Sequence, residues 1–196
     1  MRRCLSLLTL VMAMPGMSHA QGTPMPIPIG NPGFEADVLD CIPSEFCYNA
    51  AVPGWLPNWF NGANSGTIKP GAAEYPGGVP GGVNVAFLGG PSAVGGIYQT
   101  VSATLQANTI YTLHMSIGHR ADESFTGYVA SLLAGGVEVA SDDSLSPAPG
   151  TFSEETITYK TGATPILLGQ LLSISVRSIG TGQVDVDNVS LTALSQ

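Results

Sequence analysis

The chain has 196 residues and a formal net charge of −8, with 6 Lys and Arg residues against 14 Asp and Glu residues. This acidic balance makes nucleic acid and anionic membranes poor partners, because both carry dense negative charge. Charged residues make up only 10% of the chain, whereas Gly occurs 25 times and Pro 15 times. Such a composition favours many short strands and turns over solvent-facing helices.

Residues 1–20 have the features of a secretory signal. Arg2 and Arg3 precede an apolar run, Leu5–Met14, and Ser18–Ala20 forms a small-x-small cleavage site. The alternative, a short membrane anchor, is disfavoured because a membrane span needs about 18–20 apolar residues. We therefore expect a secreted or periplasmic protein that begins at Gln21. Residues 21–196 suffice for one domain with a substantial core but are short for two.

Export determines how the cysteines at positions 41 and 47 are interpreted. Cys41 and Cys47 bracket the short loop CIPSEFC, and in an oxidising compartment they are expected to form a disulfide. The bond would pin a local loop, since a loop this short adds little by chain entropy. A zinc site is disfavoured because no histidine lies near the pair.

Residues 21–28 contain prolines at positions 24, 26 and 28 and are predicted to be a flexible leader, with the domain starting at Ile29. The motif NPGFE comes next as a turn, with Phe34 as the first core anchor. Trp55 begins an apolar strand and can belong to the core or to a ligand site, whereas Trp59 lies among Pro, Asn and Gly and suits ligand stacking. Residues 61–82 are predicted to be a long surface excursion that carries Tyr75.

Strands are predicted at Val83–Leu88, Ile97–Val101 and Thr109–His119. The last has the strongest signal, and its alternation places the row containing Leu113 and Met115 on the core face. It ends in a cluster of His119, Arg120 and Asp122. The plain interpretation is an arginine that pairs with Asp122 or Glu123, and the sharper one places His119 or Arg120 at the mouth of a cleft.

Two strands around Gly135-Gly136 are predicted to form a hairpin, and strands at Thr151–Tyr159, Leu171–Ser178 and Gln183–Leu194 complete the chain. No stretch has convincing helical periodicity. About ten strands at roughly ten-residue spacing indicate an all-β fold, an antiparallel β-sandwich.

Acidic residues occur at both ends of this sandwich. The closing strand QVDVDNVSL carries Asp185 and Asp187, and the opening turn NPGFE carries Glu35. If the first and last strands lie side by side, these acids meet at one edge, where Ca²⁺ could bind, since it prefers hard oxygen ligands. The alternative is a set of surface acids that cap strands.

The motifs NPGFE, VPGW, IYQTV, ANTIYTLHMSIGHR and VDVDNVSL, in this order, resemble secreted bacterial proteins with the galactose-binding-like jelly roll. That group includes carbohydrate-binding modules and is similar in layout to the calcium-dependent Stig cyclases, which cyclise indole–isonitrile terpenoids. The resemblance covers residues 31–191 and implies the fold more specifically than the function. In the carbohydrate-binding relatives, the matching acids hold a structural Ca²⁺, which implies Glu35 and Asp187 as ligands, with Asn31 contributing an oxygen.

In the cyclase relatives an aspartic acid in an aromatic pocket acts as the general acid. Asp185 is the nearest candidate here, because it shares a strand face with Asp187. A carboxyl group in an apolar, aromatic pocket would have a raised pKa and could donate a proton.

The sequence supports two main hypotheses and leaves open whether the protein is an enzyme. The first is a binding protein for a carbohydrate or similar neutral ligand, with a candidate ligand set of Trp55, Trp59, Tyr75, Tyr98, His119 and Arg120. The second is a calcium-dependent cyclase for a small apolar substrate, with Asp185 as acid. A structural surface protein is a third, weaker hypothesis, and no hydrolase motif is present. A deep apolar pocket beside the acid would favour the cyclase. The oligomeric state stays open, a homodimer included.

Overall fold

The computed structural model describes residues 22–40, 47–57 and 64–196. The predicted signal at 1–20 lies outside these ranges, as do Cys41 and Trp59. The Cys41–Cys47 disulfide therefore stays a prediction. Within the described ranges, no helix has the length and apolar character needed to cross a membrane.

The described residues form strands in two antiparallel sheets. In chain order the strands are β1 Met25–Ile27, β2 Cys47–Asn49, β3 Leu56–Pro57, β4 Ser65–Lys69, β5 Val85–Gly90, β6 Gly96–Thr104, β7 Thr109–His119, β8 Tyr128–Ala134, β9 Val137–Asp142, β10 Thr151–Lys160, β11 Leu171–Ser178 and β12 Gly182–Ser195. The larger sheet has the order β10-β7-β12-β5-β4-β2, with β1 added to β12, and the smaller has the order β3-β6-β11-β8-β9. The predicted all-β antiparallel sandwich is confirmed.

The core lies between the facing sides of the two sheets. On β7 the predicted inner row is buried, and Leu113, Met115 and Ile117 are each 0% exposed. Across from it, β8 contributes Leu132 and β11 contributes Ile174 to the same cluster. Full burial of each such side chain stabilises the fold by about 1.5–3 kcal/mol. The two sheets are therefore held together mainly by apolar side chains at the alternating positions predicted from the sequence.

Strand β12 lies at the centre of the larger sheet. It pairs with β5 and β7, and β1 pairs with its C-terminal part through Ile27 and Leu191. The first strand of the sheet therefore lies beside the last, but it comes from the segment before the NPGFE turn, where a flexible leader was predicted. A bulge interrupts the β7 pairing between Asp187 and Ser190, and Asn188 there has a φ of 51°. A short polar side chain tolerates that left-handed conformation better than most.

Strands β1 and β4 lie where the sequence predicted none. β1 falls within the predicted flexible leader, where Pro26 aligns with Thr192 of β12. An edge position explains this, because a proline there need not donate to a second neighbour. β4 falls within the predicted excursion at 61–82, and its SGTIK sequence carries only one large apolar side chain, Ile68. The strand propensity of these residues is low, so hydrogen bonding to β2 and β5 stabilises the strand.

A second, smaller apolar cluster lies on the opposite side of the larger sheet from the core. Ile68, Val85 and Phe87 form it, and Val79 and Phe152 pack against it. On β5 these residues alternate with Ala86 and Leu88, which belong to the main core. Because successive side chains of a strand point to opposite faces, the cluster marks an outer face of the sheet that is apolar.

Candidate functional site

Asp185 lies in the middle of this outer face. Its cross-strand neighbours are Phe87 on β5 and Gly118 on β7. The residue is only 1% exposed, although it belongs to a polar type that is seldom fully buried without partners.

Two neutral side chains hold the Asp185 carboxyl group. The Tyr75 hydroxyl donates to Oδ2 at 2.7 Å, and the Gln183 amide donates to Oδ1 at 2.7 Å. Burial raises the pKa of Asp185 to about 6, against the lowering effect of both hydrogen bonds and of the Arg120 charge. The geometry therefore gives a carboxyl group that can carry a proton near neutral pH.

Tyr75 covers this carboxyl group from the loop between β4 and β5. It is 2% exposed, and its ring lies 4.5 Å from that of Phe152, measured between centroids. A Cβ atom at Gly118 would stand 2.4 Å from the Phe152 ring and 2.7 Å from the Tyr75 hydroxyl. Only glycine leaves room for this arrangement. Burial and the Asp185 charge raise the pKa of Tyr75, so that its hydroxyl stays a donor.

Arg120 is linked to Asp185 through the side chain of Gln183. Its Nε and Nη2 atoms donate to Asp122 at 2.9 and 2.7 Å, and Nη1 donates to the Gln183 side-chain oxygen at 3.2 Å. The hydrogen bond from Arg120 lowers the pKa of Asp122. The predicted arginine–acid pair is thus present, and it also anchors the amide that holds Asp185.

A cavity of about 240 Å³ opens beside this network. Arg120, Gln183 and Asn64 form its polar part, and Tyr48, Ile68 and Phe87 form its apolar wall. The Tyr48 and Phe87 rings meet edge to face, with centroids 6.2 Å apart. The outer face thus combines an aromatic wall, a small polar end and a neighbouring buried acid, which is the arrangement expected of a small-molecule site.

A second acidic site lies two residues further along β12. Asp187 is 0% exposed and accepts backbone N–H groups from Gly81 at 2.9 Å and from Asn188 at 2.7 Å. Glu35, from the opening turn, accepts the backbone N–H groups of Val83 and Asn84 at 2.9 and 2.8 Å. The predicted meeting of the two chain ends therefore occurs, and it takes place on the loop that enters β5.

The two carboxylates of this site are oxygen ligands of the kind that a hard cation prefers. Burial, together with the charges of Glu35 and Glu154, raises the pKa of Asp187 to about 7. The loop backbone comes so close that a Cβ atom at Gly82 would lie 2.2 Å from Glu35 Oε1. In the described ranges no group of three or more His, Cys, Asp or Glu residues could hold a metal ion. A Ca²⁺ ion here would need amide, carbonyl or water oxygens besides the two carboxylates.

Asn31, the third predicted ligand, is engaged in holding the opening turn. Its Nδ2 donates to Pro53 O at 2.8 Å, and its Oδ1 accepts the Ala36 N–H at 3.0 Å. Its φ is 49° and that of Phe34 is 60°. Two left-handed non-glycine residues in one turn persist only where the surroundings hold them. A direct role for Asn31 as ligand stays a prediction.

Trp55, Tyr98 and His119, which the structure describes, do not line one common site. Trp55 is buried, packs 5.6 Å from Phe34 between ring centroids, and donates from Nε1 to Asn31 O. Tyr98 lies on the smaller sheet, opposite Leu56 and Ser175. The His119 ring nitrogens face the carbonyl oxygens of Pro147 and Glu123 at 2.9 and 3.2 Å. These residues do not form one exposed aromatic strip.

Sequence reasoning missed Gln183, Phe87 and Gly118 on the outer face and Asn84 beside the acidic site. Gln183 shares the strand face of Asp185, and Phe87 alternates with core residues, so the period-2 pattern could have indicated both. Gly118 interrupts a strongly apolar strand, which indicates a close approach by another group. No comparable signal pointed to Asn84.

Comparisons with known proteins relate the chain to a family of cyclases. The family model described as HpiC1 cyclase matches residues 25–192. A structure of the Stig cyclase Fisc from Fischerella sp. TAU in complex with (3Z)-3-(1-methyl-2-pyrrolidinylidene)-3H-indole is 32% identical, with a TM-score of 0.76, covering 87% of this chain and 98% of that one. A cyclase from the same organism in complex with 4-(1H-indol-3-yl)butan-2-one is 32% identical, with a TM-score of 0.75, covering 86% and 97%.

A more distant likeness concerns the fold alone. The carbohydrate-binding module TmCBM61, in complex with β-1,4-galactotriose, is 12% identical with a TM-score of 0.54, covering 83% of this chain and 95% of that one. No match was found among curated protein sequences. The predicted galactose-binding-like jelly-roll layout and the resemblance to Stig cyclases are confirmed, whereas carbohydrate binding gains no support beyond the shared fold.

Proposed function

Because the chain belongs to the HpiC1 cyclase family, we propose that it is a cyclase that closes a ring in an apolar, indole-type substrate by acid catalysis. Solved relatives that hold indole compounds support the substrate class. The observation that carries the reaction type is the burial of Asp185 beside an aromatic wall, where Tyr75 and Gln183 fix both of its oxygens.

Asp185 is the proton donor in this proposal. Its O–H proton passes to a carbon–carbon double bond of the substrate, which leaves a carbocation and an Asp185 carboxylate. A second double bond attacks the cation and forms the ring bond, and the resulting cation loses a proton to the Asp185 carboxylate, which restores the acid. Aromatic faces stabilise cations, so Phe87 and Tyr48 would lower the barrier on the wall of the cavity.

The cavity size restricts what can bind without rearrangement. Its volume of about 240 Å³ is just under the roughly 300–1,000 Å³ of pockets for drug-sized ligands. A small aromatic group fits such a space, and a larger substrate would require the Tyr75 loop to move. Arg120 and Gln183 would then orient a hydrogen-bonding group of the substrate from the polar end.

Calcium is part of the proposal as a structural cofactor. Glu35 and Asp187 would hold Ca²⁺ through carboxylate oxygens, and the ion would supply the positive charge that this acidic site otherwise lacks. The residues themselves attach the opening turn and the loop at 81–84 to β12. Export to a secreted or periplasmic location, where calcium is abundant and disulfides form, also stays part of the proposal.

The experiment that tests the function uses prenylated indoles as substrate candidates. Cyclisation conserves mass, so the product appears in liquid chromatography–mass spectrometry as a new peak of unchanged mass. Asp185→Asn should abolish that peak while the protein still binds 4-(1H-indol-3-yl)butan-2-one, the compound held by a relative. Wild-type turnover by the variant would overturn the role of Asp185.

A binding control separates the cyclase from the carbohydrate hypothesis. Phe87→Ala, in the cavity wall, should weaken binding of the indole probe, whereas Tyr98→Ala, on the other sheet, should leave it unchanged. The reverse pattern, or binding of glycans that depends on Tyr98, would contradict the proposed site.

A further inference from the structure

Asn84 lies directly before β5, inside the acidic site. It is 2% exposed, and its backbone N–H donates to Glu35 Oε1 at 2.8 Å. Its side-chain Nδ2 donates to Asp37 O at 2.8 Å and to Phe34 O at 3.4 Å. The residue therefore joins the opening turn to the strand that lies beside Asp185.

These two contacts fix the orientation of the amide group. Both partners are carbonyl oxygens, which only accept hydrogen bonds, so the nitrogen must face them and Oδ1 must face the other way. In the described part of the chain this Oδ1 is buried and has no hydrogen-bond partner. A buried polar atom left in this state is rare, because nothing offsets the loss of its hydration.

We infer that the Asn84 side-chain oxygen is a ligand of the Ca²⁺ ion proposed at Glu35 and Asp187. Calcium takes about six to eight oxygens, and asparagine carbonyl oxygens are among its usual ligands. The loop at 81–84 brings the three residues together, since Gly81 binds Asp187 while Val83 and Asn84 bind Glu35. The inference rests on the calcium part of the proposed function and is independent of cyclisation.

The competing explanation is an ordered water molecule that hydrogen-bonds to Oδ1. Buried polar groups are often satisfied in this way. The two explanations differ in one respect: a water-bound Asn84 does not contribute to calcium affinity, whereas a ligand does. The experiment must therefore measure cation binding and not the stability of the fold.

The test measures cation binding by the mature protein and three variants. Terbium luminescence reports the site, calcium competition gives the affinity, and lifetimes in H₂O and D₂O count the water molecules on the bound ion. Asn84→Leu should weaken calcium binding about tenfold or more, and the bound terbium should gain one water. Asn84→Asp keeps a ligand oxygen but loses the N–H groups that hold Asp37 O and Phe34 O, so it should bind calcium more tightly than Asn84→Leu.

Asn49→Ala is the matched control. Asn49 is an exposed amide that donates to Asp37 Oδ2 at 2.8 Å, so it also contacts the opening segment but is no proposed ligand. This variant should keep the wild-type affinity and water count. Wild-type binding by Asn84→Leu would overturn the inference and leave the calcium site standing, whereas absence of binding by the wild type would overturn both.

A measurement on the wild type covers the case in which Asn84→Leu does not fold. The side-chain carbonyl carbon of Asn84 should shift in the ¹³C spectrum when calcium is added, since coordination withdraws electrons from that carbonyl group. The corresponding resonance of Asn49 serves as internal reference. An Asn84 shift no larger than that of Asn49 would contradict coordination.

Discussion

Asp185 and Asp187 stand two residues apart on the same face of β12, and their surroundings differ. Both are buried, at 1% and 0% exposure. Asp185 is held by the side chains of Tyr75 and Gln183, with Arg120 behind them. Asp187 is held by backbone N–H groups and lies near two further acids, Glu35 and Glu154. Burial keeps the pKa of Asp185 raised although its hydrogen bonds and Arg120 favour the carboxylate, whereas burial and the neighbouring acids both raise the pKa of Asp187, and a bound cation would neutralise those acids.

The largest expected effect separates the two acids by activity. Asp185→Asn should lower the cyclisation rate about a hundredfold or more, because general acid catalysis contributes about 10²–10⁴-fold. Asp187→Asn, assayed at a temperature where it is folded, should lose much less. The check is the rate of product formation by mass spectrometry for both variants. Equal losses would mean that Asp185 has no special role in the chemistry.

The second effect is a pH dependence of stability in the presence of a chelator. Burial raises the pKa of Asp187 to about 7 in the folded chain, against an ordinary value of 3.8 for the unfolded chain. Between these values the folded state binds more protons, so the free energy of unfolding falls as the pH rises. The loss by pH 8 should be on the order of 3 kcal/mol. Urea unfolding at pH 5 and pH 8 measures it.

Two variants separate the contributions of Asp187 and Asp185 to this pH dependence of stability. Asp187→Asn should remove the part that extends to about pH 7, and Asp185→Asn should remove the part that ends near pH 6, because its pKa is also raised. A chelated wild type whose stability rises from pH 5 to pH 8 would contradict both assignments.

The third effect is the response to calcium. At about a hundred times its dissociation constant, a ligand that binds only the folded state adds about 2.7 kcal/mol, which corresponds to a rise in Tm of about 5–10 °C for a domain of this size. Glu35→Ala and Asp187→Ala should lose the response, and Asp185→Asn should keep it. Differential scanning calorimetry with calcium and with a chelator gives the answer. If calcium added to a verified metal-free sample leaves Tm unchanged, the proposed calcium site is contradicted.

The smallest effect concerns the space between Tyr75 and the sheet. Gly118→Ala should destabilise the fold by about 1–3 kcal/mol, because the added methyl group meets the Phe152 ring and the Tyr75 hydroxyl. Gly77→Ala lies on the same loop as Tyr75 with nothing near its added Cβ, so it should stay within about 0.5 kcal/mol of the wild type. Urea midpoints of the two variants measure the difference, and equal midpoints would show that Tyr75 is not tightly seated.

Local alternation and turn chemistry made part of the fold predictable from the sequence. The inner row of β7 and the Gly135-Gly136 hairpin between β8 and β9 are both observed. The strand β4 was missed because its burial comes from neighbours and not from its own composition. Local pattern decides which face of a strand is apolar, but pairing decides where a weak strand forms.

The candidate site was harder to predict because its contacts join distant parts of the chain. Tyr75 and Asp185 hydrogen-bond across 110 positions. Tyr75 was expected as an exposed stacking residue, and Trp55 as a ligand or core residue; the structure buries both. Aromatic residues in a glycine-rich loop give the same sequence pattern whether they face solvent or fold back onto a sheet. Asp187 was singled out by the resemblance to calcium-binding relatives, and Asp185 by the alternation that places it on the same strand face.

The central place of β12 makes both sites depend on the pairing of one strand. It fills the gap between β5 and β7 and carries both acids. Until it pairs, those two strands present unpaired edges, and pairings of this sequence separation are slow to form. A chain shortened before Gly182 would lack both sites and expose edges that promote aggregation.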